Sequence, residues 1–378
     1  MLVLKALCYA PSGAIVAAPT TSLPEREGGD LNWDYRFCWL RDASLTVSAL
    51  LDLGYPEDAR AFVSWLLHST RLTRPELRVL YDVYGRLPER ERVLELAGWR
   101  GSTPVRVGNA AAAQLQLDVY GEVVDSVAQL VRRTDLRLDH ETRRMLLDFG
   151  RFVCERWRLP DSGIWEPRGR LREHTHSRVL SWVALDRLVE LSRHGHLPGA
   201  PVDELAAQRE AIRADVEARG FDRVLGSYVQ TFGGRTADAS LLQLAWYGYR
   251  AAHDPRMRGT YELVARRLGV PRSALVHRNE QSLAAGEGAF GITSFWAVDY
   301  LARGGGALRD AERRFADLLG YANDVGLFAE EIDQESREAV GNFPQAFTHV
   351  GLIDAALSLE RRRRARDASE PLVPEVRA

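Results

Sequence analysis

The chain contains 378 residues, of which 46% are hydrophobic and 27% are charged, with a formal net charge of −2. These values are typical of a globular protein, and neither the balanced charge nor any basic stripe among aromatic residues indicates a nucleic-acid partner. No stretch approaches the roughly 18 apolar residues of a membrane span, and the opening segment lacks the apolar core of a signal peptide. Cys8, Cys38 and Cys154 have no CxxC spacing, which favours a reducing compartment. We therefore expect a cytoplasmic protein without a membrane partner.

From Asp42 onward, apolar residues recur with the period of amphipathic helices. The pattern predicts helices at about 42–55, 57–70, 89–98, 109–133, 139–158, 174–193, 201–219, 238–252, 257–268, 289–303, 307–323 and 345–362. The best strand signal is the short run VLGSYVQTF at 224–232. So many helices favour helix pairs that stack in a ring or a solenoid. Because no low-complexity linker divides the chain, we expect a single domain over 1–362, followed by a charged, disordered tail over 363–378.

A loop rich in aromatic and charged residues precedes the first predicted helix. In GGDLNWDYRFCWLRD (28–42), the aromatic residues Trp33, Tyr35, Phe37 and Trp39 alternate with the charged residues Asp34, Arg36, Arg41 and Asp42. Aromatic faces can stack on the C–H faces of a sugar, while an Arg–Asp pair can hydrogen-bond its hydroxyl groups. The alternative is an aromatic plug that packs beneath a ring of helices.

The stretch DSGIWEPRG (161–169) places Glu166 between Trp165 and Pro167, with a glycine on either side of the group. An apolar neighbour favours the protonated form of a carboxylic acid, and a stiff loop aims its proton. The stretch is therefore compatible with a general acid, whereas an ordinary surface glutamate is the alternative. His174 and His176 follow, but residues two apart do not share a helix face, and we expect no metal site.

Two later loops also carry carboxylates. GEGAFGITSFW (286–296) contains Glu287, and the loop that opens GLFAEEIDQ contains Glu330 and Glu331. Adjacent side chains alternate in direction, so one of this pair can face a pocket while the other faces water or a basic partner. The loops around Glu166 and Glu330 both border helices of the predicted ring. Hydrolysis of a glycosidic bond requires such a pair, with one group protonated for the leaving oxygen and one ionised for water.

Several stretches, in order from about Leu4 to Leu357, resemble glycoside hydrolase family 15, the glucoamylase and trehalase family. They are APTTSLPE with NWDYRFCWLRDAS, RGSTPVRVGNAAAAQLQLDVYGEV, GIWEPRG with HTHSRVLSWVALDR, and EEID with GNFPQAFTHVGLI. The resemblance implies an all-α fold, an (α/α)6 toroid of six inner and six outer helices. It also implies inverting, exo-acting hydrolysis of an α-glucosidic bond, without a metal or another cofactor, on a small-molecule or oligosaccharide substrate.

The resemblance also assigns roles by position. Glu166 resembles the general acid and Glu330 the general base. The implied substrate-binding residues are Arg41 and Asp42 at the terminal glucose, Trp33, Trp39 and Trp165 as walls of that subsite, and Arg168 and Arg278. Starch-cleaving members often carry a second glutamate directly after the acid, where this chain has Pro167 and then Arg168. The WE-x-RG motif is closer to the trehalase-type branch, which favours trehalose or a short α-glucan over long starch chains.

The beginning of the chain departs from the bacterial members. They normally carry an N-terminal β-sandwich before the segment LKALCYAPSGA, and we expect this chain to consist of the catalytic domain without it. Either the sandwich is lost, or the start of the sequence is placed too late. A bare toroid would expose apolar surface, which favours a partner or a homo-oligomer.

Two other classes of function stay open. One is a toroid repurposed for cyclisation, ring-opening or elimination on a non-sugar substrate, with Glu166 and Glu330 transferring protons. The other is a non-catalytic sugar-binding or scaffold protein.

Overall fold

The computed structural model describes residues 1–369, and helices dominate this part of the chain. The α-helices are α1 (Leu2–Leu7), α2 (Leu40–Asp52), α3 (Pro56–Ser69), α4 (Asp118–Arg133), α5 (His140–Arg156), α6 (Thr175–Arg193), α7 (Val202–Asp215), α8 (Gln243–Trp246), α9 (Pro255–Leu268), α10 (Glu280–Ala285), α11 (Gly291–Tyr300), α12 (Leu308–Leu319) and α13 (Ala346–Ser369). Short 3₁₀ helices lie at Trp99–Gly101, Ala110–Ala113 and Ala239–Leu242, and π-helical turns at Val216–Gly220 and Leu301–Gly305.

The strands are short and form small antiparallel ribbons in the loops. They are β1 (Cys8–Tyr9), β2 (Ala14–Ile15), β3 (Thr21–Pro24), β4 (Asn32–Asp34), β5 (Cys38–Trp39), β6 (Leu80–Tyr81), β7 (Arg92–Leu94), β8 (Val105–Val107), β9 (Phe221–Asp222), β10 (Ser227–Tyr228), β11 (Ala289–Phe290), β12 (Glu331–Ile332) and β13 (Ala339–Val340). Within the described residues the largest sheet has three strands, in the order β11–β12–β13, with Phe290 opposite Glu331 and Glu331 opposite Val340.

The helices form two concentric layers that close into a ring. In the inner layer, α2 packs on α4, α4 on α6, α6 on the 3₁₀ segment before α8, that segment on α11, α11 on α13, and α13 again on α2. The outer helices α3, α5, α7, α9 and α12 pack against this layer, and the short α1 packs outside α13. Residues 1–369 therefore contain six inner and six outer helical segments, which confirms the predicted all-α (α/α)6 toroid.

Burial distinguishes the two layers. All ten residues of α11 are buried, as are twelve of the thirteen in α2, including the polar Ser44, Thr46 and Ser48. By contrast, α12 buries only Ala311 and Leu318. A helix that is covered on every side must be apolar or must satisfy its polar groups internally, whereas an outer helix needs only one apolar stripe. The sequence of each helix thus matches its layer.

Three predicted elements are wrong in type or extent. The predicted helix at 89–98 contains strand β7, which pairs with β8 and places Val93 opposite Arg106. Its Glu, Arg and Leu residues favour a helix locally, but cross-strand pairing decides the conformation. The predicted helix at 109–133 begins only at α4, because Asn109 caps a separate short 3₁₀ helix. The predicted helix at 238–252 ends at Trp246.

The end of the chain is helical as far as the structure describes it. Helix α13 continues through Ser369, so the described part of the predicted tail, 363–369, belongs to this helix. Residues 370–378 lie outside the described residues. Arg361 pairs with Asp52 and Arg363 with Glu312, so the basic run is anchored to neighbouring helices. Across residues 1–369, none of the helices combines the length and the apolar character needed to cross a membrane.

The segments that enter the inner helices meet at one end of the ring. Residues just before or at the start of α2, α4, α6, α11 and α13 all line one cavity. Because each inner helix runs from this end, its preceding loop delivers side chains to the same place. The loops singled out in the sequence are therefore brought together by the toroid.

Candidate active site

The cavity at this end of the ring has a volume of about 290 Å³, near the lower end of the range for small-ligand pockets. It is lined by Ala17, Leu31, Trp33, Tyr35, Trp39, Arg41, Asp42, Asn109, Ala111, Gln114, Ile164, Trp165, Glu166, Pro167, Arg168, Arg278, Glu287, Phe290, Gln345 and Phe347. Every residue predicted for the site, with the exception of Glu330, lies in this lining. The mixture of aromatic faces and charged groups suits a compact polar ligand.

Glu166 reaches the cavity from a strained backbone. Its φ is 57°, an uncommon value for a residue with a side chain, and such strain is found most often at functional sites. Its carboxylate Oε1 accepts a hydrogen bond from Trp39 Nε1 at 2.8 Å and a weaker one from Arg41 Nη1 at 3.3 Å. Gln114 holds the loop by donating to the Glu166 carbonyl at 3.1 Å. The carboxylate is thus fixed at the cavity wall.

The tryptophan that contacts the Glu166 carboxylate differs from the expected one. Trp165 was the predicted apolar neighbour, but its indole N–H donates to the two oxygens of Asp238 at 2.9 and 3.0 Å. Its ring packs edge-on against Phe290. Trp39, which lies 127 residues earlier in the chain, supplies the hydrogen bond instead. Trp165 still lines the cavity, as predicted.

Arg41 and Asp42 form a buried ion pair beside Glu166. Arg41 Nη2 lies 2.9 Å from Asp42 Oδ2, and Arg41 Nη1 donates to the Ile164 carbonyl at 2.8 Å. Burial raises the pKa of Asp42, and the Arg41 guanidinium opposes this rise. The pair lies at the start of α2, so the helix fixes both side chains towards the cavity. Both groups are placed to hydrogen-bond a hydroxylated ligand.

Glu330 lies behind the cavity wall and has no exposed surface. Its Oε1 accepts a hydrogen bond from the Tyr35 hydroxyl at 2.6 Å, and its Oε2 accepts one from the Asn342 backbone N–H at 3.1 Å. Burial raises the pKa of Glu330 to about 7, whereas the hydrogen bond from Tyr35 and the charge of Arg278 work in the opposite direction. Hydrogen bonds donated to a carboxylate favour its ionised form. The two donors therefore hold the Glu330 carboxylate in place and oppose the effect of burial on its pKa.

Two aromatic side chains connect the two glutamates. Tyr35 hydrogen-bonds Glu330, Trp39 hydrogen-bonds Glu166, and the Tyr35 and Trp39 rings pack edge to face with centroids 5.3 Å apart. Both residues come from the loop that precedes α2. The sequence left this loop open between sugar binding and an aromatic plug, and it gave no indication that Tyr35 contacts Glu330. Its position in an alternating aromatic run was the available signal.

Arg168 stacks on Trp33 at the cavity rim. Its guanidinium carbon lies 4.4 Å from the Trp33 ring centroid, and that of Arg106 lies 4.5 Å away. Glu91 pairs with both arginines, with Oε2 2.5 Å from Arg168 Nη2 and Oε1 3.3 Å from Arg106 Nε. Sequence analysis missed Glu91 because it falls in the segment that was predicted as a helix. This group forms the part of the rim that lies next to Glu166.

Arg278 lines the cavity and is already engaged with carboxylates. It donates to Glu25 Oε2 at 3.0 Å and, through Nε, to Glu287 Oε2 at 2.8 Å. Its Nη2 lies 3.9 Å from Glu331 Oε1. Arg278 therefore presents a charged group to the cavity while it holds together three segments of the chain.

The fold and the site together define a helical toroid with Glu166 in the wall of one cavity and Glu330 buried directly behind it. The profile of glycosyl hydrolases family 15 matches residues 1–311 and 305–357. The chain is 38% identical to the trehalase of Mycolicibacterium smegmatis, with 99% of this chain and 56% of the relative covered. It is 36% identical to the trehalase of Thermoplasma volcanium, with 95% and 57% covered. The glucoamylase of Saccharomycopsis fibuligera superposes with a TM-score of 0.70 at 12% identity, covering 96% of this chain and 93% of that one.

These findings place the chain in glycosyl hydrolases family 15, as the sequence motifs indicated. At 12% identity, the likeness to the glucoamylase structure concerns the fold alone. The chain spans a little over half the length of the curated trehalases that it matches.

Proposed function

We propose that this protein hydrolyses an α-glucosidic bond in trehalose or a short α-glucan, with inversion at the anomeric carbon. The observation that carries the proposal is that Trp39 and Tyr35, which pack on each other and both line the cavity, hydrogen-bond Glu166 in the cavity wall and Glu330 directly behind it. The family membership of the chain and the trehalase relatives support a glucoside as the substrate.

In the proposed reaction, Glu166 acts as the general acid and Glu330 as the general base. Glu166 gives its proton to the glycosidic oxygen as the bond between that oxygen and the anomeric carbon breaks. A water molecule attacks the opposite face of the same carbon and loses a proton to Glu330. Inversion requires carboxyl groups roughly 6.5–9.5 Å apart, so that the water fits between sugar and base. The water would approach Glu330 past Tyr35, a residue of the cavity lining whose hydroxyl hydrogen-bonds Glu330.

The remaining cavity residues would bind and orient the sugar. Arg41 and Asp42 are buried and already positioned by one another, so they would hydrogen-bond the terminal glucose without further ordering. Trp39 and Trp165 would form the walls of the glucose subsite. Trp33 and Arg168 would contact the leaving sugar at the rim. Arg278 would also contact the substrate from its place in the cavity lining. Such orientation of reactants accounts for a large part of enzymatic rate enhancement.

Glucose release from trehalose, maltose, isomaltose and soluble starch tests this proposal directly. From trehalose, inversion gives one β-glucose from the attacked sugar and one α-glucose from the leaving sugar, so we expect NMR before mutarotation to detect the two anomers in equal amounts. We also expect the purified protein to prefer a disaccharide over starch. Release of α-glucose alone from trehalose would contradict inversion. A folded protein that releases glucose from none of the four would favour the repurposed toroid.

The proposed cellular compartment is based on the cysteines of the chain. The cysteines Cys8, Cys38 and Cys154 are all free thiols, and we propose that the enzyme works in the cytoplasm on a carbohydrate, without a nucleic-acid partner. A homo-oligomer stays a prediction.

Gly341 offers a way to displace the proposed base. Its φ is +77°, and a Cβ added there would lie 2.6 Å from Glu330 Oε2 and 2.7 Å from Glu330 Cβ. We expect Gly341→Ala to lower kcat by about 100-fold, since displacing a reacting group by about 1 Å can cost that much. Gly195→Ala is the matched control, because Gly195 has a φ of +79° but open space around it. An equal loss of kcat in both variants would contradict a local effect on Glu330.

Glu91 is expected to influence chain-length preference. It fixes Arg168 and Arg106 around Trp33, and it also accepts a hydrogen bond from the Ala110 N–H at 3.1 Å. In Glu91→Gln the charge that holds Arg168 over the rim is lost, so the rim should open. We expect kcat/KM for trehalose to fall about tenfold, the equivalent of about 1.4 kcal/mol, while kcat/KM for maltoheptaose falls less. A uniform loss on both substrates would rule out a role in specificity.

A further inference from the structure

We propose that Glu25, Glu287 and Glu331 form a binding site for a divalent cation, with calcium preferred, next to the proposed base. One carboxylate oxygen from each residue lies within 4.8 Å of the other two. The three residues come from distant parts of the chain: the end of β3, the loop before β11 and the start of β12. Glu287 lines the cavity together with Arg278, whereas Glu25 and Glu331 are buried behind it.

The unsatisfied oxygens of Glu331 point to a missing ligand. Glu331 has no exposed surface, and neither of its carboxylate oxygens has a hydrogen-bond partner. Oε1 of Glu25, which is 1% exposed, is also without a partner. Buried carboxylate oxygens are normally hydrogen-bonded or coordinated to a metal, because leaving them bare costs free energy. Three such oxygens in one cluster therefore call for a positively charged ligand.

Arg278 neutralises only part of this charge. Its guanidinium contacts Oε2 of Glu25 and Oε2 of Glu287, and it remains 3.9 Å from Glu331. One guanidinium against three carboxylates leaves two formal negative charges. A divalent cation would balance these charges, using Oε1 of Glu25 and the oxygens of Glu331 that Arg278 does not engage.

The donor set and its size favour calcium. All candidate ligands are carboxylate oxygens, which suit hard cations rather than zinc. Magnesium usually keeps several waters and is held by one or two carboxylates, whereas calcium accepts a larger and more flexible set of protein oxygens. Three carboxylates whose oxygens lie within 4.8 Å of one another therefore suit calcium better. This proposal departs from the metal-free site that the family resemblance implied.

A cation at this position would tie the base-bearing strand to two other segments. Glu331 follows Glu330 directly, and β12 pairs with β11 on one side and β13 on the other. Binding of the ion would therefore stabilise the loop geometry around Glu330. Only this last consequence depends on the proposed function, because the binding site itself rests on the cluster.

The test measures binding and stability without any substrate. The 378-residue chain is treated with EDTA, dialysed and titrated with CaCl₂ or MgCl₂ by calorimetry, and its Tm is recorded at pH 8 with and without each ion. We expect stoichiometric calcium binding and a rise in Tm of several degrees with calcium, with a smaller rise for magnesium. Loss of glycosidase activity would not affect these readouts, so failure of the proposed function would be seen separately.

Two variants assign the effect to the cluster. Glu331→Gln removes one buried negative charge and is expected to fold at least as stably as wild type in EDTA while losing the calcium response. Glu25→Gln serves the same purpose if Glu331→Gln does not fold. Glu335→Gln, at an exposed position four residues along the same loop, should keep the full response. Absence of calcium binding to wild type would show that protons neutralise the cluster and would overturn the proposal, as would an unchanged calcium response in Glu331→Gln and Glu25→Gln.

Discussion

Glu166→Gln is expected to lower kcat on trehalose by at least about 1,000-fold while the protein stays folded. General acid catalysis contributes typically about 100- to 10,000-fold, and the alkoxide leaving group of a sugar depends strongly on protonation. The amide oxygen of the substituted side chain can still accept the hydrogen bond from Trp39 that the carboxylate accepts at 2.8 Å. Circular dichroism and the Tm should therefore remain close to wild type, and glucose release measures the loss.

A substrate with a different leaving group provides the control for this prediction. Fluoride leaves α-glucosyl fluoride without being protonated. Glu166→Gln should therefore hydrolyse this substrate at a rate much nearer to that of wild type. Glu155→Gln, at an exposed position of α5, should be indistinguishable from wild type on both substrates. A Glu166→Gln enzyme that hydrolyses trehalose normally would exclude Glu166 as the acid. Equal losses on trehalose and on the fluoride would indicate a role in binding instead.

The inner and outer layers of the toroid could be predicted from the sequence, because they depend on local patterns of apolar and charged residues. Helix α11 is largely apolar, and its ten residues, including Thr293, Ser294 and Asp299, are all buried, while α12 carries charged residues on most of its surface, as an outer helix must. The conformation of residues 89–98 could not be predicted in this way. Its residues favour a helix, and only pairing of β7 with β8, eleven or more residues later in the chain, makes it extended. Such non-local pairing leaves no periodic signal.

The site could be located from sequence, but its contacts could not. The motifs brought Glu166, Arg41 and Asp42 to one cavity as expected. The partner of Glu166, however, proved to be Trp39 and not the adjacent Trp165. Neighbours along a loop need not touch when the backbone between them turns, and here Glu166 itself has a positive φ. Contacts across the ring depend on how the loops converge, which requires the fold.

Glu330→Gln should be as damaging as the loss of the acid, but with a different signature. Glu330 is proposed to take a proton from the attacking water, and an amide cannot do so at neutral pH. The substitution fits the site, because the amide oxygen can accept from the Asn342 N–H while the amide NH₂ donates to the Tyr35 hydroxyl, in place of the present bonds. We expect kcat to fall at least about 1,000-fold on trehalose with little change in Tm.

α-Glucosyl fluoride should restore turnover in Glu166→Gln but should not restore it in Glu330→Gln. α-Glucosyl fluoride needs no proton on its leaving group, but its hydrolysis still requires an activated water. Glu330→Gln should therefore stay inactive on the fluoride while Glu166→Gln recovers, and Glu335→Gln should match wild type. Recovery of both variants would contradict the division of roles.

Tyr35→Phe provides an intermediate step in the same argument. It removes one hydrogen bond to Glu330 but keeps the ring that packs on Trp39, so its loss should be partial and should appear in kcat rather than KM. If Tyr35→Phe were as inactive as Glu330→Gln, the Tyr35 hydroxyl itself would have to take the proton from the attacking water. The buried position of Glu330 would then be explained by proton transfer through Tyr35.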